Sequence, residues 1–395
     1  MTTDNWQQFK EVFQAALELP KEERQAYLEK VSPDAASRSE LEALLFCYEP
    51  ADGGSGEIIE DRDKMPVAPA DPLAETFMDH YQILERRGQT GIATQYLALR
   101  LNDPGLKQVI VTIVQTDMSP ADFFRPFQRE RIILISLRHP NIGAFLDTGI
   151  TREGLPYWAV EFVEGVPVDE YCDSNKLGTH ARIALIMSVC DAIQYAHCRF
   201  IAHGRITPRR ILVRKDGVPK LLGLGMMNLP VHELTAPDAK QNAVEYASPE
   251  QLRGQPSTAA DDVYALGVVL YQLLTGQSPY CLKGGQGNDF LPEIFEAIKP
   301  SKVLDQKTEQ TRNEEFRTTR RLLAGDLDSI VLKAIQKNPA KRYASVEQFS
   351  GDLRRYFACQ PVSTRDNTFL YRAGKFIQRR RKSQTDPFSN RRVPS

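Results

Sequence analysis

The chain has 395 residues, 42% hydrophobic and 26% charged, with a formal net charge of −1. That length allows a sizeable core and more than one domain, and the balanced charge argues against wholesale nucleic-acid binding. Six cysteines, at 47, 172, 190, 198, 281 and 359, form no CxxC pair and have no histidine in ligand spacing. They read as thiols of a reducing compartment, with neither a disulfide frame nor a metal site expected.

The opening MTTDNWQQFKEVF is polar and mixed in charge, so no secretory signal is expected. The most apolar stretch, Val263 to Leu274, falls short of the ~20 residues that span a bilayer, and a cytoplasmic home is expected. Residues 1–48 read as a small helical unit. Trp6, Phe9, Val12, Phe13 and Ala16 recur at three- and four-residue spacing. A second helix starts at Pro20 and carries Tyr27 and Leu28, and a third buries Leu41, Leu44 and Leu45. Residues 49–79, with Gly53, Gly54, several prolines and many acids, read as a flexible linker.

From His80 the pattern turns to strands: YQILERRG, ATQYLALR and KQVIVTIV, with turn signals at Gly88 and at Asn102 to Gly105. Gly88 and Gly91 read as the makers of the first hairpin turn. A charged helix is predicted over Pro120 to Leu137, then strands over Ala144 to Ile150 and Tyr157 to Val163. Helices follow over Ala181 to Cys198, Asp261 to Leu274, Asp326 to Gln336 and Ser345 to Phe357. Residues 361–395 form a basic tail in which Arg372, Lys375, Arg379, Arg380, Arg381 and Lys382 occur with no acid among them.

The segment HGRITPRRILV, His203 to Val213, is followed ten residues later by Gly223-Leu224-Gly225. It resembles the HRDLKPSNILV and DFG segments of serine/threonine protein kinases. HPNI (139–142), YWAVEFVEG (157–165), YASPEQLRG (246–254), DVYALGVVLYQLLTG (262–276) and KRYASVEQF (341–349) resemble further signatures of that family, in the same order. The leader, and the tail TFLYRAGKFIQRRRK, are similar to parts of the large bacterial eukaryotic-like serine/threonine kinases, where the tail runs into a transmembrane helix. On that likeness the chain is a short member or a fragment. The resemblance implies an α+β, two-lobed kinase-like domain over residues 80–360, with an antiparallel sheet and one helix in the first lobe and helices in the second.

Within that frame the scaffold positions are kept. Glu130 stands where the first-lobe helix carries its glutamate, Glu250 and Arg342 match a buried bracing pair, and Asp262 matches the anchor of the catalytic loop. The chemical positions are replaced. The phosphate-gripping lysine is Thr112, the proton-accepting aspartate Arg205, the loop lysine Thr207, and the two magnesium ligands Arg210 and Gly223. The GxGxxG positions are Gly88, Thr90 and Ala93. In the adenine slot the small alanine is Ile110 and the roofing valine Gln95, a buried amide that needs a partner, while Leu212 remains as the floor. The loop threonine is Ala243, the arginine before the aspartate is Gly204, and Thr235 is the only hydroxyl between Met226 and Val244. His203 reads as a structural hydrogen-bonding residue.

Phosphoryl transfer rests on positioning and on charge neutralisation by metal and lysine. The sequence therefore predicts a pseudokinase, an inactive kinase fold acting as a protein-binding or allosteric signalling module, with no cofactor and no metal. Two other readings stay open. One is a divergent serine/threonine kinase or nucleotidyl transferase with weak ATP-dependent activity. The other is an anion- or phosphopeptide-binding module using Arg205, Arg209 and Arg210. The expected partners are proteins, either an active kinase or an acidic or phosphorylated segment such as Glu57 to Asp63. A peripheral membrane contact through the basic tail is a further option.

Overall fold

The computed structural model describes residue 27 and residues 77–90, 92–102, 106–125, 128–225, 244–279, 297–304, 316–366 and 368–385. The chain divides into a unit of residues 1–72 with 101–107 and a unit of residues 73–100 with 108–395. Of the expected helical leader only Tyr27, which is helical, lies among the described residues. The architecture below is that of the second unit.

Its first lobe is a six-stranded antiparallel sheet. The strands are β1 (Phe77–Met78), β2 (Tyr81–Thr90), β3 (Ala93–Arg100), β4 (Gln108–Val114), β5 (Phe145–Ile150) and β6 (Pro156–Glu161), in the spatial order β1-β2-β3-β4-β6-β5. Alternating apolar residues explain the burial: Val109, Val111 and Ile113 of β4 face Tyr81, Ile83, Tyr96 and Ala98 in one cluster. β1 begins inside the stretch expected to be linker, because Met78 is buried under the sheet. Gly88 is also placed differently from expectation. It lies within β2 opposite Gln95, at a register shift after Arg86, and the hairpin turns beyond Thr90, which pairs with Ala93.

The helix expected over residues 120–137 is two pieces. Pro120–Phe124 is capped by the Ser119 hydroxyl, which accepts the Asp122 N–H at 3.2 Å, and α1 (Gln128–Ser136) follows. Leu134 of α1 is buried with Phe145, Ile201 and Leu224, so this helix packs on the residues flanking the motif segments.

The second lobe is helical. α2 (Thr179–His197) and α3 (Ala259–Thr275) form its centre, with α4 (Asp328–Ala334) and α5 (Val346–Phe357) packed around them. α3 is apolar on every side and almost wholly buried, which is how a sequence marks a central helix. Gly267 permits the close approach of α4, since a Cβ there would lie 2.7 Å from the Ala334 methyl. A sheet of three short strands, β7 (Gly165–Pro167), β8 (Ile211–Arg214) and β9 (Pro219–Leu221), lies in the stretch that carries the motif loops. These strands have three or four residues each, too few to show periodicity in the sequence.

Two buried polar clusters fix the lobe. Arg342 donates to Glu250 through both terminal nitrogens, with Nη2 to Oε2 at 2.7 Å. It also donates to the carbonyls of Gln336 and Ala260, at 2.8 and 3.0 Å. Asp352 accepts from the Tyr343 hydroxyl at 3.0 Å and from the Ser363 hydroxyl and N–H at 2.6 and 2.8 Å. That second cluster extends into the basic tail. Val362 is buried in the core, and α6 (Phe369–Thr385) is tied to Asp326. Asp326 Oδ1 accepts from Arg365 at 3.1 Å and from the Tyr371 hydroxyl at 3.0 Å, and the Lys375 ammonium pairs with Oδ2. The tail is thus folded onto the lobe at its start. Among the described residues no helix is long and apolar enough to cross a membrane.

Candidate functional site

The site is organised by one buried carboxylate. Asp262, in the first turn of α3, is fully buried. One oxygen accepts the His203 N–H at 2.8 Å and contacts His197 Nε2 at 2.7 Å, and the other accepts the Gly204 N–H at 2.7 Å. Three partners satisfy a charge that would otherwise be costly to bury. The loop entering residues 203–210 is therefore pinned by its main chain, and the Gln251 side chain adds a 2.6 Å bond to the Gly204 carbonyl.

His203 carries the connection onward. Nε2 lies 3.0 Å from the Leu222 carbonyl, and Nδ1 lies 3.2 Å from the Arg205 N–H. Only the tautomer protonated at Nε2 serves both, donating to Leu222 and accepting from Arg205. Burial, partly opposed by Asp262 and reinforced by Arg210, pushes its pKa down to about 4. It is neutral at pH 7, and its geometry is that of a structural brace. The Leu222 N–H donates to the Arg210 carbonyl at 2.8 Å, so the two motif segments are laced together directly.

On this frame the substituted positions come together. Pro208–Arg210 form a 3₁₀ turn that points the Arg210 side chain at Gly223. A Cβ built on Gly223 would collide with Arg210 Nη1. Gly223 has φ of +78°, in the left-handed region where glycine carries no steric penalty. Burial first, and then the charge of Arg205, push the Arg210 pKa down to about 10. Burial also lowers that of Arg205. Both remain cations at pH 7, and among the described residues neither has a carboxylate partner. Arg209 is exposed and Thr207 partly buried. Of the expected three-arginine pocket, Arg205 and Arg210 are partly buried and Arg210 senses the charge of Arg205, while Arg209 is turned to solvent.

The remaining positions line up less tightly. Thr112 is 2% exposed on β4, between Gln95 and Trp158 of the neighbouring strands. Ala93 is buried, while Ile110 and Leu212 are partly buried. Gln95 is exposed, which corrects the expectation of a buried amide in need of a partner: its β3 position faces water. The side chains of Thr90 and Glu130 lie outside the described residues, as do Thr235 and Ala243. Lys220, which sequence reasoning passed over, donates to both oxygens of Glu161 at 3.0 and 3.1 Å and to the Ile142 carbonyl at 3.3 Å. His197 and Gln251 were likewise missed; no spacing in the sequence links them to the loop they hold.

A magnesium site of the kind the family resemblance implies does not fit these residues. Its two ligand positions present a guanidinium and the hydrogen of a glycine, and among the described residues no cluster of three or more His, Cys, Asp or Glu could hold a metal. A divalent cation 4 Å from a guanidinium is repelled by about 8 kcal/mol at an effective dielectric of 20.

Residues 87–352 match the protein kinase domain. The chain is 30% identical over 293 residues to the serine/threonine-protein kinase PknB of Mycobacterium tuberculosis (strain ATCC 25618 / H37Rv), covering 72% of this chain and 44% of that protein. It is 32% identical over 290 residues to the serine/threonine-protein kinase PrkC of Bacillus subtilis (strain 168), covering 72% and 42%. A crystal structure of Rad53 1–466 in complex with AMP-PNP is similar with a TM-score of 0.49 at 19% identity, covering 69% of this chain and 64% of that one. The chain spans less than half the length of the two curated relatives. The family match and the curated relatives correct the expectation that the chain is not an enzyme. Relatives at about 30% identity are named serine/threonine kinases, which points toward a kinase. Physically, single substitutions tell which groups are missing, while the frame that orients the loop is assembled.

Proposed function

The chain belongs to the protein kinase domain family, and from that premise we propose that it is a divergent serine/threonine protein kinase with slow ATP-dependent activity. Its cleft receives phosphate through guanidinium groups, Arg205 and Arg210, at the positions where the motif it resembles has an aspartate and an asparagine. The observation that carries the reading is the pinned loop: Asp262 and His203 hold the backbone of residues 203–205, which includes Arg205, in place, and Arg210 follows in the next turn. Guanidinium groups bind phosphate oxygens bidentately, and preorganised positive charge stabilises a transferring phosphoryl group. The activity is slow because a general base contributes about 10²–10⁴-fold and position 205 is an arginine. The work takes place in the cytoplasm, on protein partners that carry acidic or phosphorylated segments. The buried free thiols Cys172 and Cys190 suit a reducing compartment.

The test is transfer of label from γ-labelled ATP to the protein itself and to a serine-containing peptide. It compares the native chain with an Arg205→Ala/Arg210→Ala double variant. Label above the double variant supports the reading, and equal label in both overturns it.

A further inference from the structure

The Arg205–Arg210 pair raises a question that the kinase reading leaves open: what neutralises the phosphates. Three observations bear on it. The Arg210 guanidinium fills the space that a side chain at Gly223 would need. Each arginine lies where burial disfavours its charge, and Arg205 is the charged neighbour that depresses Arg210. Neither has a carboxylate partner among the described residues, although buried arginines elsewhere in the lobe do: Arg342 on Glu250, and Arg182 on Asp173 at 2.8 Å. Two like charges held together without a counterion are electrostatically unfavourable by themselves. An arriving polyanion removes that penalty and gains two charge-assisted, bidentate contacts.

We infer that Arg205 and Arg210 form a fixed dication in place of magnesium, binding the phosphate chain of an unchelated nucleotide directly. A divalent metal then works against the site. It withdraws the free nucleotide as a chelate and brings a further positive charge toward two guanidiniums. Gly223 belongs to the same device, since a larger residue there would displace Arg210. The inference rests on the kinase-family reading of the cleft, and it concerns which species binds, not whether transfer follows.

The experiment is a calorimetric and thermal-shift titration of the full chain with ATP in EDTA, ATP with magnesium in excess, inorganic tripolyphosphate in EDTA, and adenosine. ATP should bind in EDTA, and its apparent affinity should fall about tenfold or more once magnesium exceeds ATP, because little free nucleotide is left. Tripolyphosphate should bind in EDTA and adenosine should not, which assigns the binding to the phosphate chain. Arg205→Met and Arg210→Met should each weaken ATP by about tenfold or more, with an unliganded melting temperature equal to the native value or higher. ATP binding that strengthens with magnesium, adenosine binding as tight as ATP, or arginine variants with native affinity would each overturn the inference. Metal-free binding without any transfer would count against the kinase reading alone, and magnesium-dependent binding with transfer against this inference alone.

Discussion

Gly223 leaves free the volume that the Arg210 guanidinium occupies, so a Cβ at residue 223 and the Nη1 of Arg210 exclude one another. Two departures from the family motif, one on each of two laced segments, are therefore one physical change. The lacing bond from the Leu222 N–H to the Arg210 carbonyl keeps the pair in contact. The exchange also puts a cation beside residue 223, where the motif has an aspartate.

The bracing pair in the helical lobe is the first point of vulnerability. Glu250 is 5% exposed and Arg342 4%, so removing one partner strands the other charge in the interior at about 3–5 kcal/mol. Glu250→Ala should lower the melting temperature by roughly 10 °C. Glu250→Leu/Arg342→Met, which removes both charges and keeps volume, should recover most of that loss. A double variant as unstable as the single would show that the carbonyl contacts of Arg342, not the ion pair, hold the lobe.

His203 sets a pH dependence of stability. Its folded pKa of about 4 lies below the ordinary histidine value of 6.5, so between those values the unfolded chain binds more protons than the folded one. Its contribution is fully present above pH 6.5 and is lost as pH falls toward 4, with a total on the order of 3 kcal/mol. Urea unfolding from about pH 7 to about pH 4 should show a shallower decline in His203→Gln than in the native chain. Parallel curves would mean that the imidazole is not held neutral.

Asp326 ties the basic helix to the lobe. Asp326→Ala removes the shared acceptor of Arg365 and Tyr371 and the partner of Lys375, at about 1–3 kcal/mol. Limited trypsin treatment followed by mass spectrometry should then show faster cleavage between Arg372 and Lys382, with the helices of residues 179–357 still protected. An unchanged cleavage rate would place the anchor elsewhere, with Asp352 and Ser363 the next contact to test.

The large elements are legible in the sequence because their composition marks them: the apolar run Val263 to Leu274 of α3, broken only by Gln272, and the β-branched run of β4. The substituted positions are legible as identities, because the flanking residues of HGRITPRRILV fix their register. What they do is not. That Arg210 lies across Gly223, and that Arg209 faces water, depends on a 3₁₀ turn whose side-chain directions have no signature in sequence. Gln95 defeats the motif-based reading because it alone is exposed on its face of β3, where Ala93, Leu97 and Leu99 are buried. Asp262 is found by its place in the motif, but its third contact, His197, lies 65 residues away in sequence. The strands β7 to β9 are too short to announce themselves, and the anchoring of the tail depends on isolated residues, Asp326 before α4 and Asp352 within α5, that nothing in the sequence sets apart from other helix acids.

The mutual exclusion of Gly223 and Arg210 predicts a non-additive cycle. Gly223→Asp places a side chain at φ of +78°, which aspartate tolerates better than most residues, but its Cβ meets Arg210. The single variant should therefore lose about 1–3 kcal/mol as the guanidinium is forced out of its seat. Arg210→Asn alone removes one of two mutually repelling cations and should be close to neutral. In the Gly223→Asp/Arg210→Asn double variant the shorter amide leaves room for the new carboxylate. Stability should then return to within about 1 kcal/mol of the native chain, giving an interaction energy inside the ~0.5–3 kcal/mol range of contacting pairs. Denaturant midpoints for the four proteins measure it. Simple additivity would mean that Arg210 swings aside without cost, and that the two positions changed for unrelated reasons.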